Sequence, residues 1–298
     1  MKVPEWLLIF LKVLKRNKLA FTSFIILLAY IVVALIAVTD LLPPLPPENT
    51  NMIYSPPSLK LYHGFPWYIL GTDFTGRPLL LELFYGTPSI LLVAFIAALI
   101  TVGVGLIVGL IAGYLGGIVD TIISAILDVV LVIPGIVLII ILAAIIHTTN
   151  PFIIAGILSI TSWAGLARAI RSQVLSLKER DFIAVAKVTG FSRWKIMYSE
   201  LTPLMAPYIF INLLLGMVGA IYALVGLYFI GILPLSIYNW GVQLNNAISI
   251  GGAIYTSKGE YALWAPIIAI VLFQISLINL TSVTDQLFNP ALRGELNE

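Results

Sequence analysis

Cysteine is absent from this 298-residue chain, histidine occurs twice, and only 10% of the residues carry a charge. The lack of cysteine excludes disulfides, thiolate metal sites and cysteine nucleophiles. His63 and His147 lie far apart along the chain, so a metal site has little support. No histidine, nucleophile and carboxylate occur together at a common depth, which argues against an intramembrane enzyme. The net charge of +2 is too small to favour nucleic-acid binding.

Apolar residues make up 60% of the sequence, so lipid must cover much of the protein surface. The composition therefore predicts an all-α integral membrane protein. The first apolar run follows a basic flank, but it is too long for a signal-peptide core and lacks a small-x-small cleavage site, so we interpret it as a retained span. A span needs about 20 apolar residues. Six runs approach or exceed that length: Leu19–Thr39, Ile90–Ala112, Thr121–Ile146, Phe152–Ile170, Leu204–Ile230 and Tyr261–Val283.

The distribution of lysine and arginine predicts the orientation of the six transmembrane helices. Five of the 16 basic residues precede the first span, seven lie in or just before the loop between spans four and five, and one follows the last span. Basic residues accumulate on the cytoplasmic side of a membrane. Both termini and the central loop, residues 171–203, are therefore expected in the cytoplasm.

The segments outside the spans differ in composition. Residues 1–18 carry apolar side chains at helical spacing between basic ones, which predicts an amphipathic helix on the inner membrane surface. Residues 40–89 are rich in proline and are expected to form an extended external segment. Residues 90–283 form the expected core with five spans, and residues 284–298 form a cytoplasmic tail. Tryptophans such as Trp240 suit the membrane interface.

Polar residues concentrate in the central loop, where short helical patterns flank Gly190. Gly190 permits a sharp turn between two helices, and Pro203 suits the first turn of the next span. The small residues at 184–186 allow a helix to sit closely in a partner's groove. The chain contains no Gly-x-x-x-x-Gly-Lys-Ser/Thr loop, so any ATP it uses must be bound by another subunit. On spacing alone, a solvated basic loop that only anchors topology is an equal alternative.

The central loop resembles the signature of inner-membrane permeases of binding-protein-dependent ABC importers. That signature consists of Glu-Ala-Ala, any three residues and a Gly, with a Pro thirteen positions after the Gly. Three positions match in order: Ala186, Gly190 and Pro203. The sequence departs from the signature at Ala184, which occupies the acidic position, and at Val185, which replaces the first alanine. Glu179 or Asp181 is then expected to supply the acidic contact to an ATPase.

Other motifs occur in the order typical of the C-type permease of dipeptide, oligopeptide and nickel importers. Pro78 stands where that subgroup usually has an acidic residue. The motifs are spread over most of the chain, so the resemblance covers most of it. Several spaced motifs in one order are also more specific than a single short one. The matching segments are Arg16–Ala20, Leu70–Asp73, Gly76-Arg77, Tyr85-Gly86, Ala112–Tyr114, Gly116-Gly117, Asp120, Trp240-Gly241 and Asn289-Pro290.

The resemblance implies a non-catalytic permease subunit in the inner cell membrane. Its implied partners are a paralogous permease that completes the substrate path as a heterodimer, two cytoplasmic P-loop ATPases that bind ATP and Mg, and an external substrate-binding protein. No cofactor is expected in this chain itself. Di- or oligopeptides are the expected substrates, with nickel or oligosaccharides as alternatives. The loop residues expected to couple to the ATPases are Asp181, Ala184, Val185, Ala186, Gly190 and Pro203.

Glycine and proline suggest how the spans pack. Pro134-Gly135 predicts a kink in the third span, because proline removes a backbone hydrogen bond. Four glycines at intervals of four predict a bare helix face on which a neighbouring helix packs closely and which can also slide during gating. These glycines are Gly105, Gly109, Gly113 and Gly117.

Polar side chains inside the spans are few. Asp128 lies in the third span, where a carboxylate facing lipid is costly, so it is expected to face the bundle, a partner subunit or water, with a role in translocation or coupling. Asn212, Gln274 and Asn279 are expected to form hydrogen bonds between helices. A free-standing secondary transporter, the alternative from another class, needs its own ion-coupling groups and often contains inverted repeats. Few intramembrane charges and no internal repeat disfavour it.

Overall fold

A computed structural model describes residues 17–39, 41–58, 66–235 and 238–288. The predicted amphipathic helix and most of the predicted tail lie outside these residues. The described chain is helical apart from turns and extended loops. Its helices of six or more residues in α conformation are α1 (Lys18–Val38), α2 (Leu79–Leu115), α3 (Gly117–Val132), α4 (Gly135–Ile146), α5 (Pro151–Ser159), α6 (Ser162–Leu177), α7 (Asp181–Val188), α8 (Ala206–Phe229), α9 (Trp240–Asn245) and α10 (Glu260–Phe288).

Four of these helices, α1, α2, α8 and α10, are long and apolar enough to cross a membrane alone. The bent pairs α3–α4 and α5–α6 add two more candidate spans if each pair crosses once, which gives six. The predicted all-α membrane fold is confirmed. The kink at Pro134 is confirmed as a full break, with 77° between α3 and α4. The predicted fourth span, Phe152–Ile170, contains a break that the sequence does not indicate, because α5 and α6 meet at 53°.

The second span begins earlier than the sequence predicts. Ile90 is the expected start, whereas α2 begins at Leu79 and runs for 37 residues, about 55 Å at 1.5 Å per residue. Glu82 and Pro88 interrupt the apolar run in the sequence. In the structure Glu82 is buried and Pro88 lies within the helix, so neither ends it.

Two main clusters of buried apolar side chains divide the molecule along its length. The first, here the Tyr54-end cluster, joins α1, the first half of α2, α4, α5, the second half of α8, α9 and α10. The second, here the Gly190-end cluster, joins the second half of α2 to α6, α7 and the chain up to Met205. A smaller cluster around Leu127 joins α3 to α6. The two halves of each bent pair therefore pack in different clusters.

Hydrogen bonds tie the segments at the Tyr54 end to one another. The Asp73 carboxylate accepts from the backbone N–H of Thr75 at 2.9 Å and of Arg77 at 2.8 Å. The Tyr54 hydroxyl donates to the Gly251 carbonyl at 2.7 Å, which joins residues 41–58 to the segment after α9. Burial raises the pKa of the Tyr54 phenol, and the charge of Asp73 raises that pKa further, so the hydroxyl stays protonated as a donor.

Trp240 lies in the core and not at the predicted membrane interface. Its side chain is fully buried, and its indole N–H donates to the Leu83 carbonyl at 3.1 Å. The ring contacts Tyr30 and Phe273, with centroid distances of 5.6 and 6.4 Å. The short helix α9 folds back into the bundle and carries this side chain inward, which the sequence does not indicate.

Candidate functional site

The two helix breaks meet at an open cavity of about 440 Å³ halfway along α8. The cavity lies at the boundary between the Tyr54-end and Gly190-end clusters. Its volume falls within the range of about 300–1,000 Å³ that is usual for small-ligand sites. Among the described residues, no charged side chain lines the cavity, and its polar side chains are Thr101, Thr161, Ser162 and Asn212.

The breaks touch each other across this cavity. A Cβ atom on Gly135, at the start of α4, would lie 2.8 Å from Oγ1 of Thr161, just before α6. The Ser162 hydroxyl donates to the Leu158 carbonyl at 3.3 Å and so satisfies one backbone group that the break releases. Non-helical backbone at membrane depth is tolerated where protein or a water-filled cavity surrounds it. Discontinuous helices of this kind form the substrate sites of several transporters.

α8 presents a nearly bare face to the cavity. Gly216, Gly219 and Ala223 are among the residues that line it. A Cβ atom on Gly219 would meet nothing within 4 Å, so this side of the helix borders open space. The small residues of α8 thus set the width of the cavity.

The three intramembrane amides fall in different environments. Asn279 on α10 donates to the Ser23 hydroxyl on α1 at 3.1 Å, as predicted. Asn212 donates within its own helix, to the Tyr208 carbonyl at 2.8 Å, and it also lines the cavity, so the prediction of an interhelical bond is wrong. The Gln274 amide nitrogen has no hydrogen-bond partner among the described residues.

The predicted glycine face of α2 packs against α6 over three of its four positions. Cβ atoms on Gly105, Gly109 and Gly113 would lie between 2.6 and 3.0 Å from atoms of α6. Gly117 is different, because it follows the end of α2, has a φ of 55°, and borders open space. The bare face therefore ends one turn earlier than the sequence predicts.

Asp128 faces α6, where it forms an ion pair with Arg168. Two turns earlier on α3, the Asp120 carboxylate accepts hydrogen bonds from both Nε and Nη2 of Arg171, and the distance from Nη2 to Oδ2 is 2.6 Å. The Ser124 hydroxyl also donates a hydrogen bond to Oδ1 of Asp120 at 3.3 Å. The side chains of Asp128 and Arg168 remain 70% and 50% exposed, so this pair is open to one side. Sequence reasoning missed both arginine partners, because pairing between helices depends on which faces meet.

The central loop turns at Gly190 in the predicted way. Gly190 has a φ of 83°, which residues that carry a side chain rarely adopt. Ile183 and Ala186 of α7 point inward and are buried in the Gly190-end cluster. The sequence places Ala186 at a partner contact, whereas the structure buries it within the chain's own core. Pro203 lies in the short helical piece Thr202–Leu204, and the span itself begins only at Ala206.

The outer side of α7 and the chain after Gly190 expose apolar side chains, which we call the exposed loop surface. Asp181 and Ala184 are exposed beside it. Among its members, Val188 is 89% exposed. The family signature marks Val185 in the sequence, whereas nothing in so apolar a chain marks Val188, Trp194 or Tyr198 as functional. The surface comprises Val185, Val188, Trp194 and Tyr198.

Up to six candidate spans, two of them broken beside a cavity with no charged side chain in its described lining, are typical of a membrane transport protein. Residues 105–294 match the binding-protein-dependent transport system inner membrane component, and residues 6–57 match the N-terminal TM domain of oligopeptide transport permease C. The first match spans more than half of the chain. The chain therefore belongs to the binding-protein-dependent permease family, and the resemblance inferred from its motifs is confirmed.

Curated relatives cover most of the chain. The oligopeptide transport system permease protein OppC of Lactococcus lactis is 31% identical over 212 residues, which is 71% of each chain. The dipeptide transport system permease protein DppC of Bacillus subtilis is 32% identical over 241 residues, or 79% of this chain and 71% of the relative. The DppC protein of Haemophilus influenzae is 31% identical over 222 residues, or 73% of each.

Proposed function

We propose that this chain is the C-type permease subunit of an ATP-driven importer of di- or oligopeptides. The single observation that carries the proposal is the uncharged cavity where both helix breaks meet, in a chain similar to peptide permeases. ATP and Mg bind to two partner ATPases, because this sequence has no phosphate-binding loop. An external binding protein delivers the peptide at the Tyr54 end. The described lining of the cavity contains no histidine or carboxylate, the side chains that would bind nickel, and this composition disfavours nickel as the substrate.

A paralogous permease closes the cavity from its open side. The exposed face of α6 carries small residues, including Ser162, Gly165 and Ser172. Six of the ten exposed residues of α3 are instead large and aliphatic, such as Ile122 and Val129. Small residues favour helix-to-helix contact in membranes, whereas branched aliphatic side chains suit lipid. This contrast supports a partner helix on α6 and lipid on α3.

The exposed loop surface docks on a cytoplasmic ATPase, which places the Gly190 end inside the cell. Val185 and Val188 lie three residues apart on α7, so their exposed side chains adjoin, and adjoining exposed apolar side chains mark interaction sites. Val185 and Ala184 contact the ATPase directly, and Asp181 supplies the acidic contact that the family signature otherwise takes from its glutamate. Ala186 contributes from the inner side, since its small side chain lets α7 lie close to the core. Gly190 sets the turn that presents this surface.

The proposal is tested by reconstituting the chain with a paralogous permease, two ATPases and a binding protein in vesicles, and by measuring ATP-driven uptake of labelled peptide. Gly219→Leu fills the cavity, so we expect at least about a tenfold loss of uptake while the complex still assembles. The matched control is Gly226→Leu, seven residues along the same helix face, where a Cβ also meets nothing within 4 Å but which does not line the cavity.

Two results would contradict the proposal. Equal uptake by the Gly219→Leu and Gly226→Leu complexes would show that the cavity is not the path. Accumulation of peptide by this chain alone, driven by an ion gradient without any ATPase, would instead establish a secondary transporter.

A further inference from the structure

Two ion pairs join α3 to α6 on the Gly190 side of both helix breaks: Asp120 with Arg171, and Asp128 with Arg168. We propose that these four side chains are positioning residues for transport. They hold α3, α6 and the central loop as one rigid body, which turns about the breaks at Pro134 and Thr161 and so reshapes the cavity. The inference rests on the proposed function, because it states how movement of the loop reaches the path.

Apolar packing alone holds α3 weakly. Leu127 is the one buried side chain of this 16-residue helix. Asp120 and Asp128 are eight residues apart, about 12 Å along the helix axis. Two attachment points at that spacing fix both the distance and the rotation of α3 relative to α6. A single pair fixes only a point.

α6 in turn is fixed to the rest of the Gly190 end. Its side chains Ile170 and Val174 share the Gly190-end cluster with Ile183 and Ala186 of α7. The Lys178 ammonium donates to the Gly113 carbonyl of α2 at 3.1 Å, just where α6 ends. Closely packed interiors transmit displacement with little slack. A movement of α7 is therefore passed to α6, and through the ion pairs to α3.

The segments beyond the breaks belong to the other half of the molecule. α4 and α5 pack in the Tyr54-end cluster, and neither carries a charged residue. Asp128 and Arg168 lie within the predicted third and fourth spans, where breaking their ion pair leaves a charge without a partner, which is costly inside a bilayer. The paired side therefore moves as a unit, and the bend angles at the two breaks change instead.

The absence of native cysteine permits spin-label pairs at chosen sites. The first pair, Ile122→Cys with Glu179→Cys, reports distances within the proposed rigid body. The second pair, Ile141→Cys with Glu179→Cys, reports across the break between α3 and α4. In the reconstituted complex, trapping ATP on the ATPases is expected to leave the first distance unchanged and to shift the second by several ångströms. A first distance that shifts as much as the second overturns the inference, as does a second that stays constant.

Charge reversal tests the ion pairs themselves. Asp120→Arg or Arg171→Asp alone is expected to raise the ATP hydrolysed per peptide transported by about tenfold, and the double swap is expected to restore it. A merely structural role would lower assembly, hydrolysis and uptake in proportion. The control is Glu48→Lys, which breaks the 3.9 Å pair with Arg77 at the Tyr54 end and should leave coupling unchanged.

The outcomes separate this inference from the proposed function. Single reversals that keep normal coupling, or a double swap that remains uncoupled, contradict the positioning role while wild-type uptake stands. A wild-type complex that hydrolyses ATP without moving peptide contradicts the proposed function itself.

Discussion

Gly103 and Gly109 lie six residues apart on α2 and meet opposite surroundings. A Cβ on Gly109 would lie 2.6 Å from the Ala167 carbonyl oxygen and 2.7 Å from Cβ of Ile170, whereas a Cβ on Gly103 would meet nothing within 4 Å. Backbone atoms cannot move aside as a flexible side chain does. At the scale of single residues, the fit of α6 on α2 therefore depends on the missing methyl group at Gly109.

Gly109→Ala is expected to destabilise the protein by roughly 1–3 kcal/mol, the usual cost of overpacking a tight contact. Gly103→Ala is the matched control on the same helix and should not lower stability. The measurement is the Tm of the purified chain in detergent, followed by tryptophan fluorescence. Equal Tm values for the two variants would show that α6 does not press on α2 at this position.

α7 is an element with two faces. Its inner face carries Ile183 and Ala186 and is buried, while Val185 and Val188 point away from the protein. Eight residues are too few for a helix that is stable alone, so the buried face holds it in place. The outer face is then free to serve a partner without supporting the fold.

Val188→Asp is expected to weaken attachment of the ATPases by about tenfold or more, because an exposed apolar anchor becomes a charge that the partner must desolvate. The fold should persist, since Val188 is 89% exposed. Copurification of the ATPases with the tagged chain measures the effect. Tyr255→Asp, on a residue 86% exposed at the opposite end, is the control and should leave attachment intact. Normal attachment of the ATPases to the Val188→Asp variant would show that they contact this chain elsewhere.

At the scale of the whole molecule, the two apolar clusters and the breaks between them give a two-part bundle. α2 and α8 run through both parts, while the bent pairs change cluster at their breaks. The cavity lies at this boundary. Such a division suits a protein that opens alternately to its two ends, because each bent pair can change its angle at the break while both clusters keep their packing.

The same division predicts the orientation in the membrane. A single cysteine at Val188 should react with a membrane-impermeant maleimide only after the cell membrane is opened. A single cysteine at Tyr255 should react in intact cells. The reverse pattern would place the exposed loop surface outside, where no ATPase reaches it.

Hydropathy and charge determined the class, the candidate spans and the expected side of the central loop. These follow from summed transfer free energies along the chain, which do not depend on how helices pair. Pro134 predicted the break between α3 and α4, because proline lacks a backbone N–H wherever it occurs. The turn at Gly190 could also be predicted, because the wide range of backbone angles open to glycine is a property of that residue alone.

Tertiary structure alone decided the break at Thr161, the inward position of Ala186, the burial of Trp240 and the partners of Asp120 and Asp128. Each depends on which helix faces meet, and in a chain that is 60% apolar the sequence marks few faces as inner or outer besides the glycine face of α2. The cavity is likewise a property of several elements at once, because it exists only where two breaks and a bare helix face come together. Local chemistry thus fixed what each segment is, and packing fixed what it touches.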